Sequence, residues 1–289
     1  MAVLVCATAL GCATTGRSGV SPTPPDVSAP GSTSAPDPAG ADGLSPRMGD
    51  AEAATPPRQT WRVGERVLPR RKDGFGQVLP TPPELVARAL PTADVLPPPS
   101  GERYAATVTP VPGDVLARST WRPDCPVRVA ELRYLTMPFH GFDGRRHTGE
   151  MIVHATVADE VTRVFGRLHD AAFPIEEMRV VTAGELDAPP TGDGNNTTAF
   201  VCRPARNLSR WSAHAYGLAV DVNPFCNPYV TGDLVLPELA SAYLDRQALR
   251  PGMIRHGDVA QRAFAAVGWT WGGTWRDPKD IMHFSQTGE

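Results

Sequence analysis

The chain has 289 residues, 41% of them apolar, and a formal net charge of -3. That length holds one ordinary domain with residues to spare, and the slightly acidic balance argues against a nucleic-acid partner. The 31 prolines far exceed average usage and fall mostly before residue 125, so the first part of the chain is expected to be largely unpacked.

Residues 1–12 form a short apolar run ending in Ala9-Leu10-Gly11-Cys12. The run is too short to span a bilayer as a helix, and it lacks the basic residues that open a secretory signal. Two readings stay open: a truncated signal with a lipoprotein box that leaves a lipidated Cys12, or another export signal cut nearby. The missing basic residues suggest a coding start further upstream. Either reading sends the protein to the cell envelope or beyond, touching the membrane only through an anchor at Cys12.

Residues 13–112 read as a Pro-rich tether, mostly disordered. Over 13–58 there are few large apolar side chains to offset ordering entropy. Residues 59–112 add Trp61, Phe75, Leu85 and Tyr104, a basic run Arg70-Arg71-Lys72 read as a solvated charge cluster, and a short helix expected near 83–90.

A globular pattern occupies 113–289. Residues 150–154 read as a strand. Val157, Val161, Val164, Phe165 and Leu168 make one apolar helical stripe. Further strands are expected at 179–183, 218–222 and 281–285, with a loop over 184–198 and a helix around 258–267 closed by Gly268. The mixture predicts an α+β fold, a small antiparallel sheet with flanking helices.

Five cysteines suit an exported protein. Cys6 and Cys12 belong to the signal region. A Cys125–Cys202 bridge with Cys226 as a buried free thiol is the favoured count of the remainder. No C-x-x-C pair suggests a cysteine metal site.

The chemistry concentrates in two short blocks. One is Ser212-Ala213-His214-Ala215-Tyr216-Gly217-Leu218-Ala219-Val220-Asp221, the other Asp280-Ile281-Met282-His283-Phe284. Two imidazoles and one carboxylate, His214, His283 and Asp221, make a three-ligand Zn²⁺ set with an open fourth position, which is a catalytic arrangement. His214 is expected on a turn before the strand that bears Asp221. A carboxylate among Leu218, Ala219, Val220 and Val222 is costly unless paired or metal-bound. Asp280, three residues before the last ligand, is placed to take a proton from a water.

These blocks, with Phe142-Asp143-Gly144, Cys202-Arg203, Asn223-Pro224, Asn227-Pro228-Tyr229 and Trp271-Gly272-Gly273-x-Trp275, resemble the zinc D-alanyl-D-alanine carboxypeptidase family. That family includes L-alanyl-D-glutamate endopeptidases and has the hedgehog/lysostaphin-type zinc peptidase fold. The resemblance covers roughly 113–289. It implies His214, Asp221 and His283 as zinc ligands, Asp280 as catalytic base and Arg203 as the arginine that supports the oxyanion or binds a substrate carboxylate. Ser212 and Tyr216 are then expected to line the site and bind substrate, a peptidoglycan stem peptide. Asp280 stands where the carboxypeptidase arm usually carries Glu, and with the Trp271–Trp275 segment it looks closer to the endopeptidase arm. A non-catalytic wall-binding domain that keeps the zinc fold is the alternative from another class, and a zinc amidase a third.

Overall fold

The computed structural model describes residues 61–205 and 208–288. The export segment 1–12 and the tether over 13–58 lie outside them. Residues 61–106 hold a single helical turn, α1 (Pro83–Val86), opened by a proline at its first position, where a missing N–H loses nothing. With so many prolines the segment has few donors for a ladder. It is nonetheless packed. Trp61, Leu68, Leu85 and Leu90 are buried against Phe225, Val235, Leu239, Tyr243 and Met253. The Arg88 side chain is fully buried and pairs with Glu176 at 2.5 and 2.6 Å. The expectation of a mostly disordered stretch through residue 112 is therefore corrected for 61–112. A few widely spaced large side chains suffice because each fills a place on the domain, and proline lowers the entropy lost on ordering. In the basic run, Arg71 is paired with both Asp73 and Asp233.

Next come β1 (Thr107–Thr109), α2 (Gly113–Arg118), β2 (Leu132–His140) and β3 (Arg146–His154). The strands form an antiparallel sheet in the order β1-β2-β3, with β2 and β3 paired from Leu132↔His154 to His140↔Arg146. Helix α3 (Ala158–Asp170) buries Val161, Val164, Phe165 and Leu168, the stripe read from the sequence, and carries Asp159 and Glu160 in its first turn, where the helix dipole favours acids. The strand expected at 179–183 is displaced. β4 (Glu177–Met178) ends early, and Thr182 instead starts α4 (Ala183–Leu186) through a capping box with Glu185. That local pairing satisfies two helix-end groups at once and outcompetes a strand.

β5 (Asn196–Thr197) lies parallel to β4. β6 (Ala219–Asp221), β7 (Tyr229–Thr231) and β8 (Leu234–Leu236) follow, then α5 (Val259–Ala265), capped by Asp258, whose side chain accepts from the Gln261 N–H at 2.9 Å. The chain closes with β9 (Thr270–Trp271), β10 (Lys279–Asp280) and β11 (His283–Ser285). Two further three-stranded sheets result, β10-β7-β8 and β6-β11-β9. The class is α+β as expected, but three small antiparallel sheets and one parallel pair replace the single sheet. α5 rests on the last sheet through Phe264, stacked on Phe284 at 3.9 Å between centroids. Cys125 and Cys202 form a disulfide with Cα atoms 5.9 Å apart, and Cys226 is a buried free thiol. Among the described residues no helix is long and apolar enough to cross a membrane.

Candidate metal centre

Strands β6 and β11 frame the centre. Their register sets His283 opposite Asp221, Phe284 opposite Val220 and Ser285 opposite Ala219. Successive strand side chains point to opposite faces. Val220 and Phe284 therefore enter the apolar core, while Asp221 and His283 share the other face. Directly opposed residues have Cβ atoms about 4.5–5.5 Å apart. Two residues 62 positions apart in sequence thus meet, with His283 Nδ1 3.1 Å from Asp221 Oδ1.

His214 comes from a 3-10 turn, Ala213–Tyr216, just before β6. Ser212 opens the turn, its hydroxyl accepting from the His214 N–H at 3.3 Å. Gly217 closes it with φ +70°, and a Cβ there would stand 2.6 Å from the His154 backbone nitrogen. Only glycine lets the turn lie against the end of β3. The His214 ring donates from Nδ1 to the Ala199 carbonyl at 2.6 Å. A carbonyl can only accept, so Nδ1 carries the proton and Nε2 presents its lone pair to the centre. The segment providing that carbonyl is itself held. Thr198 exchanges both backbone hydrogen bonds with Asp221, Val201 donates to the His214 carbonyl, and Cys202 is fixed by its disulfide.

His214 Nε2 lies 3.2 Å from His283 Nδ1 and 3.2 Å from Asp221 Oδ1. These two distances and the 3.1 Å edge between His283 and Asp221 close a nearly equilateral triangle of donors. Ligands about 2.0–2.1 Å from a tetrahedral zinc stand about 3.3 Å apart, so the triangle is the right size for that ion. A lone pair facing a carboxylate oxygen also calls for a cation between them. The donor set fits Zn²⁺.

The triad opens into a cavity of about 450 Å³. Arg203, Ser212, Trp275 and Asp280 also line it, together with Leu208, Arg210, Tyr229 and Met282. The structure thus brings His214, Asp221, His283, Asp280, Arg203 and Ser212 to one cavity. Tyr216 is not part of its wall and is 37% exposed. It sits two residues beyond His214 in a helix of three residues per turn, roughly 240° further round. Neither His147 nor His154 reaches the wall; His147 is held between Asp94 and Asp143. Of the two tryptophans, Trp275 faces the cavity, its ring 5.6 Å from that of His283, whereas Trp271 belongs to the core. Sequence reasoning missed Arg210 and the role of Tyr229. Tyr229 pairs with Asp280 across β7 and β10, a contact that strands of two and three residues do not announce. Just past β6, Asn223 turns the chain with φ +43°. Its side-chain amide donates to the carbonyls of Pro174 and Gly252 at 2.8 and 3.3 Å, which anchors the end of the strand that bears Asp221.

No curated protein and no solved structure matches the chain. Residues 206–286 match the model of a family described as D-alanyl-D-alanine carboxypeptidase, so the region that carries His214, Asp221, Asp280 and His283 has the signature of the zinc peptidase family that the two sequence blocks resemble.

Proposed function

We propose that this protein is a zinc-dependent peptidase that hydrolyses peptidoglycan stem peptides, either as a D-alanyl-D-alanine carboxypeptidase or as an L-alanyl-D-glutamate endopeptidase. The observation that carries the reading is the donor triangle of His214, Asp221 and His283, opening into a cavity that also holds Asp280 and Arg203. The three donors would hold the ion. When bound, zinc supplies a Lewis acid for the scissile carbonyl and brings the pKa of a water toward about 7. Asp280 takes the proton of the attacking water and passes it to the leaving amine. Arg203 offers a fixed fork of donors to the oxygen on which negative charge develops, or to a substrate carboxylate. Ser212 shapes the wall next to His214.

The protein acts outside the membrane in this reading. The Cys125–Cys202 disulfide supports it, since such bridges persist in oxidising compartments. The Ala9-Leu10-Gly11-Cys12 box supports retention through a lipid on Cys12, with residues 13–58 as the reach to the wall. Mass spectrometry of intact muropeptides after incubation with the zinc-loaded protein tests the activity. Released D-alanine identifies the carboxypeptidase, and a cut after L-alanine the endopeptidase. Neither product from folded, zinc-loaded protein would replace this reading with a wall-binding domain.

A further inference from the structure

Asp280 and His283 are three residues apart but belong to different sheets. Asp280 ends β10, paired with β7, while His283 starts β11, between β6 and β9. The chain crosses from one sheet to the other at Ile281 and Met282. The distance from base to ligand therefore depends on how firmly that crossover is held, and neither ladder determines it alone.

The crossover has a side-chain clamp. The Trp271 indole N–H donates to the Ile281 carbonyl at 2.8 Å, in a buried position. The indole is itself fixed: Trp271 pairs with Phe284 across β9 and β11, and the two rings stack with planes 17° apart. The two glycines that follow close the space on the other side. A Cβ on Gly272 would stand 2.6 Å from the Asp280 carbonyl oxygen and 3.0 Å from its Cβ. One on Gly273 would stand 2.3 Å from the indole ring. Thr274 completes the turn, its hydroxyl donating to the Trp271 carbonyl at 2.8 Å. Backbone, indole and the Asp280 strand are thus in direct contact.

We propose that Trp271 is a positioning residue, which sets the place of Asp280 relative to the metal ligands by holding the Ile281 carbonyl at the sheet-to-sheet crossover. The kinetic consequence rests on the reading of Asp280 as base; the structural consequence does not. His283 keeps its place without the clamp because β11 is paired on both edges. Losing the indole N–H then frees Asp280 more than it frees the ligand.

Trp271→Phe in the zinc-loaded protein is the test, since it keeps an aromatic ring for Phe284 and removes the N–H donor together with part of the indole. The amide exchange of Ile281, whose N–H donates to the Pro228 carbonyl at 3.5 Å on the Asp280 side of the crossover, should speed up by about 10-fold, the loss of one ordinary hydrogen bond. Turnover should fall by about 10- to 100-fold at unchanged KM, as for a catalytic group misplaced by about 1 Å. Zinc content should stay at one per chain, and the visible spectrum of the cobalt-substituted protein should be unchanged. Gly272→Ala, which pushes on Asp280 directly, should lower kcat likewise with zinc retained, and it decides the matter should Trp271→Phe fail to fold. Wild-type exchange at Ile281, or loss of zinc in step with turnover, overturns the clamp. Faster exchange at Ile281 with wild-type turnover overturns the positioning role of Trp271, whereas wild-type turnover of Asp280→Asn would overturn the assignment of Asp280 as base.

Discussion

Two regions of this molecule are held in different ways. The segment 61–96 has one short helix of its own and adheres mainly through side chains, Trp61 to Asp193, Arg71 to Asp233 and Arg88 to Glu176, with backbone bonds from Leu68 to Pro190 and from Leu79 to Glu238. The candidate metal centre is held mainly by backbone. β6 and β11 are laddered to one another, Thr198 is bridged to Asp221, and Val201 donates to the His214 carbonyl. The first arrangement gives adhesion at a few points. The second sets three donor atoms within tenths of an ångström of the separation that a tetrahedral ion asks for. Altering one region should therefore change stability, and altering the other chemistry.

The largest effect is expected at the centre. His214→Ala removes one corner of the triangle, and turnover should fall by at least about 10³-fold, on the order of 4 kcal/mol in barrier, with metal content reduced in step. Thermal stability of the metal-free protein should change little by comparison. Retained zinc in that variant would break the assignment of the ligand.

Arg88→Met probes the opposite case. Removing one partner of a buried ion pair costs about 3–5 kcal/mol, and Glu176 would keep only the Asn195 amide, at 2.9 Å, as a side-chain donor. Urea unfolding should show that loss, while kcat per folded molecule stays near wild type. A matching fall in kcat would mean that the segment also tunes the centre.

The disulfide joins the two modes. It closes 77 positions of chain and anchors the residue next to Arg203. Serine at Cys125 and Cys202 should lower stability by about 2–4 kcal/mol, and a rise in KM would show that Arg203 had lost its place.

The smallest effect concerns pH. Burial would raise the Glu150 pKa, but hydrogen bonds from Arg118, Tyr134 and the Val180 N–H outweigh it and lower the value. A carboxylate with a depressed folded pKa adds stability above its unfolded pKa, and that stability is lost as pH falls through the folded value. Glu150→Gln should cost about 2 kcal/mol at pH 7, with the difference from wild type shrinking below roughly pH 4. A pH-independent difference would contradict the assignment.

What the sequence disclosed follows the same division. That His214, Asp221, Asp280 and His283 would line one cavity was readable because each lies in a compact block whose residue types suit one chemistry. Helix α3 was readable from its apolar stripe. The packing of residues 61–96 was not, because its partners lie far away in sequence, 132 positions for Trp61 and 162 for Arg71, and prolines suggested the opposite. β7, β9 and β10 are only two or three residues long and lack the apolar run that marked β6, so they stayed hidden, and with them the approach of Tyr229 to Asp280. Tyr216 shows the converse: its place in a strong motif did not reveal which way a 3-10 turn points it.

The most direct measurement is the zinc content and muropeptide turnover of Asp280→Asn beside the wild type. A base that is not a ligand predicts one zinc per chain in both proteins, with turnover lower in the variant by roughly 10²–10⁴-fold. Loss of zinc from Asp280→Asn, or turnover equal to wild type with zinc in place, would contradict a centre in which His214, Asp221 and His283 hold the ion and Asp280 moves the proton.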